Sequence, residues 1–300
     1  MAERVGFVGI GTMGTPMTLN LLKAGFAVAA YDIVPAGVET VVKAGAKPAD
    51  SLREVAQASD VIITMLPSPV ELEAAMYGPS GLLAHLKTGQ NLIDMSTMDP
   101  VATRKVAADA AKIGVGMIDA PVSGGTVGAV NGTLTIMVGG PVELLERYRP
   151  VLLALGQKLI HTGDVGSGET AKLCNNLIAG ITQAAVAEAY GLAERAGLDP
   201  KVLYDIVRQS TGQCWSHDNN PPLPGLRDGS PANNEYAPGF MVDLMAKDLG
   251  LAVSTARRYG ASALLTATVQ QLFAAASSQG HGRQDASAVK FAVDALSKDA

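Results

Sequence analysis

Short apolar runs alternate with amphipathic segments along the first half of the chain. The apolar runs predict β-strands at Arg4–Val8, Ala27–Tyr31, Val61–Met65, Asn91–Asp94, Gly116–Ala120, Thr133–Val138 and Lys158–His161. The segments between them predict helices at Met13–Ala24, Ser51–Ala58, Val70–Met76, Pro100–Ile113 and Val142–Leu155. Strands that alternate with helices are typical of parallel sheets with right-handed crossovers, so this half predicts an α/β fold with a doubly wound sheet.

The pattern changes after a glycine cluster at residues 163–168. From Glu169 to Ala196 the chain has no proline and predicts one long helix, and its stretch Leu173–Ala187 carries no charge. Such a helix is expected to be buried on every side, with Cys174 as a small core residue. Further helices are predicted at Lys201–Gln209, Phe240–Tyr259, Ser262–Gln279 and Ser287–Leu296. We therefore expect two domains, residues 1–165 and 166–300, joined by the long helix.

Residues 213–238 interrupt this helical half with prolines at positions 221, 222, 224, 231 and 238. Long loops inside compact domains are usually functional or disordered. Apolar side chains within the segment, among them Trp215 and Tyr236, favour an ordered loop over a pocket.

Composition excludes several classes of protein. Hydrophobic residues make up 48 % and charged residues 17 %, enough apolar content for a large core. The net charge is −5 and no run of five like charges occurs, so we expect no nucleic-acid partner.

Apolar runs are too short for a membrane span. Two cysteines, and an N-terminus without a signal or transit pattern, predict a cytoplasmic protein. The four histidines show no ligand spacing, so we expect no metal.

A glycine motif carries the first chemical signal. Its six residues are Gly9, Ile10, Gly11, Thr12, Met13 and Gly14, and they follow a predicted strand and open a predicted helix. In this context the first glycine makes a tight turn, the second lets a pyrophosphate approach the backbone, and the third lets helix and strand pack closely. The alternative is a glycine-rich turn without a ligand. Flavin and S-adenosylmethionine sites use similar turns.

Asp32 follows the second predicted strand, where a carboxylate can accept hydrogen bonds from the adenosine ribose. No arginine or lysine follows it to bind a 2′-phosphate, since Ile33 and Val34 come next. The sequence therefore favours NAD over NADP. The alternative is that Asp32 only caps a turn.

Two further groups of polar and small residues follow predicted strands. Ser123, Gly124 and Gly125 offer a hydroxyl and unshielded N–H groups, which can hold a carboxylate in a backbone nest, although a plain turn explains them equally well. Ser96-Thr97 and Leu66-Pro67 also lie at strand ends, where ligands bind in open parallel sheets. Each of these pairs is also consistent with an ordinary loop.

Lys172 and Asn176 lie four residues apart on the long helix and therefore share a face. Burial and nearby positive charge lower the pKa of a lysine and make it a usable base, whereas a lysine at a helix end can also extend to solvent. Lys247 and Asp248 lie among apolar neighbours, which fits either a buried pair or a solvated helix face.

Together these motifs resemble the β-hydroxyacid dehydrogenase family over essentially the whole chain. The resemblance rests on residues 8–14, 119–125, 166–176, 212–224 and 244–252. It implies a Rossmann-like dinucleotide-binding domain, a helical substrate and oligomerisation domain, an active site between them, and homodimers or homotetramers. The implied reaction is NAD-dependent oxidation of a short 3-hydroxy acid, 3-hydroxyisobutyrate above all, to its semialdehyde, a step of valine catabolism.

The resemblance also implies residue roles. Lys172 is the expected catalytic acid/base. The expected substrate contacts are Ser123, Gly124, Gly125, Asn176, Trp215 and Asp248. Besides the glycine motif and Asp32, the expected cofactor contacts are Leu66, Pro67, Thr97 and Lys247.

The chain departs from the family at Asn220, five residues after Trp215, where relatives usually carry tyrosine. Asn220 either leaves space and polar groups beside the substrate or points to solvent. Substrates of the same family therefore stay open, namely serine, 3-hydroxypropionate and tartronate semialdehyde. The alternative from another class is a non-catalytic NAD-binding sensor.

Overall fold

A computed structural model of the protein describes residues 3–297. The chain divides into two compact units, Met1–Lys172 and Leu173–Ala300, and the division falls within one long helix. Across the described residues, no helix combines the length and apolar character needed to cross a bilayer.

The first unit alternates strands and helices. Its strands are β1 Arg4–Val8, β2 Ala27–Tyr31, β3 Lys47–Pro48, β4 Val61–Thr64, β5 Asn91–Asp94, β6 Gly116–Asp119, β7 Val122–Ser123, β8 Leu134–Gly139 and β9 Gly156–Gly163. Its helices are α1 Gly14–Lys23, α2 Pro35–Lys43, α3 Leu52–Ala58, α4 Pro69–Met76, α5 Pro100–Ala111, α6 Gly125–Asn131 and α7 Val142–Leu153.

The described strands form one sheet in the order β3-β2-β1-β4-β5-β6-β8-β7, and β9 pairs with β8. Strands β1 to β6 pair in parallel, so the expected α/β class with a mainly parallel sheet is confirmed. Strand β8 runs antiparallel to β6 and β7, which the sequence did not predict. The link from β7 to β8 contains only the seven-residue helix α6, and a parallel crossover needs a dozen or more residues.

Local sequence explains several helix starts. Ser51, Ser68 and Asp99 cap α3, α4 and α5 by accepting hydrogen bonds from backbone N–H groups of the first turn. Helix α2 was not predicted, although Pro35 at its first position is a recognised start signal. Fully buried side chains such as Phe7 and Met17 fill the space between the sheet and α1.

The second unit is helical, as expected. The long helix α8 spans Ser167–Arg195 and begins in the first unit. The helices after it are α9 Pro200–Val207, α10 Trp215–Asn219, α11 Val242–Arg258, α12 Leu264–Ala276 and α13 Val289–Ala295. Helix α10 lies inside the segment that the sequence predicted to be an ordered loop, and the same segment contains a 3-10 turn at Pro231–Asn234.

The expectation that α8 is buried on every side is wrong for the single chain. Cys174 is exposed and Ile178 is 62 % exposed, so Cys174 is not a core residue. Gly180 faces the other way, where a Cβ would come within 3.1 Å of the side chains of Met245 and Leu249 on α11. An uncharged helix therefore has one face in the core and one face uncovered, a distinction that composition alone does not make.

Candidate active site

The glycine motif forms a tight strand-to-helix turn between β1 and α1. A Cβ on Gly9 would lie 2.2 Å from the Met65 carbonyl, and one on Gly14 would lie 1.8 Å from the Gly9 carbonyl. A Cβ on Gly11 would meet nothing within 4 Å, and Gly11 and Thr12 are exposed. The turn thus excludes side chains at two glycines for packing and leaves open space at the third. Open backbone at a helix start is where a dinucleotide pyrophosphate binds, so these residues fit the cofactor.

Asp32 stands at the end of β2 and fixes this turn. Its carboxylate accepts hydrogen bonds from the backbone N–H groups of Ile10, at 2.6 Å, and Val34, at 2.7 Å. Each oxygen keeps a second lone pair that can accept from a ribose hydroxyl. The adjacent Ile33 is 83 % exposed, and no cation stands at positions 33 or 34. Asp32 therefore orders the glycine turn and still fits the ribose of NAD.

Hydrogen bonds tie together the loops that follow β4 and β5. The Leu66 N–H donates to the Ser96 hydroxyl at 2.8 Å, and the Ser96 N–H donates to Asp94 at 3.2 Å. The Thr64 hydroxyl donates to the same Asp94 oxygen at 2.9 Å. These bonds bring Leu66, an expected cofactor contact, next to the residue that precedes Thr97. Pro67 is exposed and Thr97 half-buried on these two loops.

Asp94 and Asp119 are neighbours at the ends of β5 and β6, and both are fully buried. Burial raises the pKa of the Asp94 carboxyl, and the charge of Asp119 raises it further. Burial also raises the pKa of the Asp119 carboxyl, although the backbone N–H groups of Gly166 and Glu169 oppose the shift. Sequence reasoning missed Asp94 as a structural residue. Its position at the end of a buried strand was the available signal.

Asp119 holds the start of α8, the helix that carries Lys172. Its carboxylate accepts from the N–H groups of Gly166, at 2.7 Å, and Glu169, at 2.9 Å. A negative charge at a helix N-terminus is favourable because it satisfies N–H groups that have no acceptor within the helix. The Glu169 carboxylate in turn accepts from the Met98 N–H at 2.9 Å. The start of α8 is therefore held by β6 and by the loop that carries Thr97.

Ser123 ends β7, and the two glycines after it adopt backbone conformations that favour glycine. Gly124 has φ 131° and Gly125 has φ 61°. Ser123 is half-buried and Gly124 is exposed, so a hydroxyl and open backbone stand together at this turn. The segment lies four residues after Asp119, so it is connected directly to the anchor of α8.

Lys172 and Asn176 lie one turn apart on α8 and are both buried, with exposures of 6 % and 4 %. Because they are four positions apart on one helix, the two side chains share a helix face, as expected. Lys172 does not extend to solvent as a helix-end lysine would.

Asn176 contacts α11. Its amide donates to the Asp248 carboxylate at 2.5 Å, and the Lys247 ammonium lies 3.1 Å from the other Asp248 oxygen. Asp248 is 1 % exposed, whereas Lys247 keeps part of its side chain in solvent. The structure thus brings three of the expected site residues together in the second unit, and it favours a partly buried pair over a solvated helix face.

Trp215 begins α10 and is 68 % exposed. Asn220, just after this helix, is 6 % exposed and does not point to solvent. Its amide is buried and donates to Asp285 at 2.7 Å, while its backbone carbonyl accepts from Gln183 at 3.0 Å. The sequence did not identify Asp285 or Gln183, because they lie far from Asn220 along the chain.

Within residues 3–297, no three or more histidine, cysteine, aspartate or glutamate side chains are grouped as ligands for a metal ion.

Comparison with known protein families assigns both halves of the chain. Residues 4–163 match the NAD binding domain of 6-phosphogluconate dehydrogenase, and residues 166–293 match the NAD-binding domain of NADP-dependent 3-hydroxyisobutyrate dehydrogenase. The chain belongs to the β-hydroxyacid dehydrogenase family. It is a nicotinamide-dependent 3-hydroxyacid dehydrogenase, and its N-terminal domain binds NAD.

Similar proteins support this assignment over the full length. A 3-hydroxyisobutyrate dehydrogenase of Pseudomonas aeruginosa is 46 % identical over 90 % of both chains. An NAD-dependent L-serine dehydrogenase of the same species is 42 % identical over 96 % of this chain and 97 % of its own. A solved structure of Mycobacterium tuberculosis 3-hydroxyisobutyrate dehydrogenase with L-serine is 39 % identical, has a TM-score of 0.91, and covers 98 % of this chain and 99 % of its own.

Proposed function

We propose that this dehydrogenase uses NAD to oxidise 3-hydroxyisobutyrate to its semialdehyde, with Lys172 as the general base. The observation that carries the proposal is the burial of Lys172 on α8, one turn before the amide of Asn176. A buried amine beside a polar side chain on the same helix face suits proton transfer, because a desolvated lysine releases its proton more readily than a solvated one.

The chain's own residues handle the substrate and the proton. Ser123, Gly124 and Gly125 hold the substrate carboxylate, and Asn176 orients the hydroxyl group for Lys172. The glycine turn and Asp32 would hold NAD, which would supply the acceptor for the hydride from C3. As the C3–H bond breaks and the carbon–oxygen bond becomes a carbonyl, the hydroxyl proton passes to the neutral Nζ of Lys172.

The remaining predicted contacts complete the proposal. Asp248 fixes Asn176 from α11, and Trp215 supplies an apolar wall for a methyl-sized substituent. Lys247 contacts the cofactor, as do Leu66, Pro67 and Thr97 at the ends of β4 and β5.

The preference for NAD over NADP rests on Asp32. A carboxylate at this position repels a 2′-phosphate, and the exposed Ile33 provides no positive charge to bind one. The L-serine dehydrogenase relative, which is named NAD-dependent, supports the same preference.

L-Serine is the second candidate substrate. Its support is specific, because one similar protein is an L-serine dehydrogenase and the similar M. tuberculosis structure contains L-serine. Serine and 3-hydroxyisobutyrate share a carboxylate, a C3 hydroxyl and a small substituent at C2, so the same groups can hold both.

A rate panel tests the proposal. NADH formation is measured with 3-hydroxyisobutyrate, L-serine, 3-hydroxypropionate, glycerate and threonate at matched concentrations. The proposal requires the highest kcat/KM with 3-hydroxyisobutyrate. A higher value with L-serine assigns the protein to the second candidate, and no turnover with any of these compounds would refute both substrate assignments.

We further propose a homodimer or homotetramer, because α8 leaves apolar residues such as Ile178 exposed in the single chain. Sedimentation of the purified protein tests this. The cytoplasmic location and the role in valine catabolism stay predictions from the sequence.

A further inference from the structure

Asp285 is a buried carboxylate on which three separate segments of the second unit converge. It is 2 % exposed. One oxygen accepts from the backbone N–H groups of Gly239, at 3.0 Å, and Phe240, at 3.1 Å. The other accepts from the Asn220 amide at 2.7 Å, and from the N–H and hydroxyl of Ser287 at 3.0 and 2.9 Å. Five donors therefore point at one carboxylate that is almost completely buried.

Two of these segments lead directly to expected substrate or cofactor contacts. Asn220 closes α10, the five-residue helix that begins with Trp215. Phe240 precedes α11, which carries Lys247 and Asp248. Backbone hydrogen bonds reinforce the second connection, since Met241 and Asp285 form an isolated antiparallel bridge. A single side chain thus sets the position of α10 relative to the start of α11.

A second contact holds Asn220 from α8. The Gln183 amide donates to the Asn220 carbonyl at 3.0 Å. Gln183 is 2 % exposed and lies seven residues after Asn176, which places both on one face of α8. Gln183 therefore holds the end of α10 from α8, while the Asn220 amide reaches Asp285.

Asp285 also contacts a strained part of the proline-rich segment 213–238. Glu235 and Tyr236 have φ values of 48° and 59°, which residues other than glycine rarely adopt. The Asp285 N–H donates to the Tyr236 carbonyl at 2.8 Å, and the Tyr236 hydroxyl donates to the Pro222 carbonyl at 2.7 Å. Such strain persists only where the surroundings hold the backbone in place.

We propose that Asp285 is a positioning residue for substrate selection, which acts through Asn220 on α10 and its first residue, Trp215. The inference rests on the proposed function, in that Trp215 contacts the substituent of the hydroxy acid. Asparagine at position 220 has a defined role in this view. Its amide makes a hydrogen bond to Asp285 that anchors α10.

The hydrogen bonds at Asp285 require two acceptor oxygens, which only a carboxylate provides. An amide at position 285 offers one acceptor oxygen and turns an N–H group toward donors on its other side. Asp285→Asn therefore breaks either the bonds to Gly239 and Phe240 or the bonds to Asn220 and Ser287. Asn220→Ala removes the hydrogen bond to Asp285 and a 3.4 Å hydrogen bond to the Gln183 side chain, and it leaves the other donors to Asp285 in place. Ser287→Ala removes one hydrogen bond to the same carboxylate and leaves the tie to α10 intact, so it is the matched control.

Trp215 is the single tryptophan of the chain, so its fluorescence reports on α10 alone. The experiment measures the steady-state fluorescence anisotropy of Trp215 in the full-length protein without ligands. The same variants are assayed for KM and kcat with 3-hydroxyisobutyrate and L-serine, for KM with NAD, and for thermal melting.

Asn220→Ala should lower the anisotropy and raise the KM for the hydroxy acid about 10- to 100-fold, because a displacement near 1 Å of a positioning group can cost that much. Asp285→Asn should lower the melting temperature in either orientation of its amide, since one pair of hydrogen bonds is lost in each. The KM for NAD should stay within about twofold. Ser287→Ala should match the wild type in both the anisotropy and the KM for the hydroxy acid. Unchanged anisotropy in Asn220→Ala, or an equal change in Ser287→Ala, would overturn the proposal.

Asn220→Ala decides the question alone if Asp285→Asn does not fold. The two proposals also fail separately. The anisotropy tests the tie between Asp285 and α10 whatever the substrate is, whereas the rates of the wild-type protein test the proposed function.

Discussion

The amide of Asn176 donates a 2.5 Å hydrogen bond to the carboxylate of Asp248, which joins α8 to α11. Asp248 also pairs with Lys247, so the buried carboxylate has one neutral partner, the Asn176 amide, and one positively charged partner. This bond fixes the Asn176 side chain one turn after Lys172. A residue proposed to orient the substrate is therefore itself oriented by a residue on another helix.

Replacing Asp248 with asparagine should reduce kcat/KM for the hydroxy acid about 10- to 100-fold. A hydrogen bond to a charged group contributes ~1.5–3 kcal/mol, and the neutral amide also loses the ion pair with Lys247. Steady-state kinetics measure the change. Asp243→Asn is the control, since Asp243 is on the same helix but exposed and bonded to Ser277. Equal losses in both variants would contradict a role specific to Asp248.

Alanine at Gly11 should affect cofactor binding, whereas alanine at Gly14 should affect stability. A Cβ on Gly11 meets open space, so Gly11→Ala should fold normally and weaken NADH binding by at least about tenfold by obstructing the pyrophosphate. A Cβ on Gly14 would lie 1.8 Å from a backbone carbonyl, so Gly14→Ala should lower the melting temperature or prevent folding. Thermal melting and NADH fluorescence titration distinguish the two. Normal NADH affinity in Gly11→Ala would show that the pyrophosphate does not bind at this turn.

Arginine at position 33 should shift the cofactor preference toward NADP. Ile33 is 83 % exposed, so a longer cationic side chain fits without disturbing the core. We expect the NADP-to-NAD ratio of kcat/KM to rise at least about tenfold in Ile33→Arg and further with Asp32→Ser added. Because Asp32 also holds the N–H groups of Ile10 and Val34, the double variant should be less stable.

Leu153→Arg, at another exposed apolar position of the first unit, controls for the added charge. A wild-type enzyme that prefers NADP would refute the assignment of Asp32.

Lys172→Ala should lose turnover and keep its cofactor. General acid–base catalysis contributes about 10²- to 10⁴-fold, so kcat should fall by that factor while NADH affinity stays near the wild-type value. Lys158→Ala, which removes an exposed lysine, should retain full activity. A kcat for Lys172→Ala within about threefold of the wild type would exclude Lys172 as the base.

Asp94→Asn should stabilise the protein at neutral pH. Burial raises the pKa of Asp94 above its usual 3.8, so in the wild type the free energy of unfolding falls as the pH rises from 3.8 toward the raised pKa. Asparagine keeps the oxygen that accepts from Thr64 and Ser96 and removes this ionisation. Each ~1 kcal/mol gained should raise the melting temperature by ~2–4 °C.

The gain should shrink as the pH approaches 3.8, because Asp94 is then protonated in the unfolded chain as well. Melting temperatures from pH 4 to about pH 8 measure this trend. Asp50→Asn, at an exposed aspartate, should show no such gain. A destabilised Asp94→Asn at neutral pH would show that the charged form of Asp94 is required by the fold.

Features that depend on neighbouring residues could be predicted from the amino-acid sequence. The strand, glycine motif and helix around residues 4–23 follow from local periodicity and from backbone conformations that only glycine permits. Lys172 and Asn176 share a face because both lie on one helix, and the helical spacing of four residues is fixed. The short helix α2 escaped prediction, although Pro35 marks its start.

Contacts between distant segments could be identified only from the folded structure. Asp119 caps α8 across 47 and 50 residues, and Asp285 reaches Asn220 across 65. No local pattern encodes such pairs, because a buried carboxylate is stable wherever the fold brings enough N–H donors to it. The exposed Cys174 has the same explanation. Composition shows that a helix is apolar, but the packing of its neighbours determines which of its faces is covered.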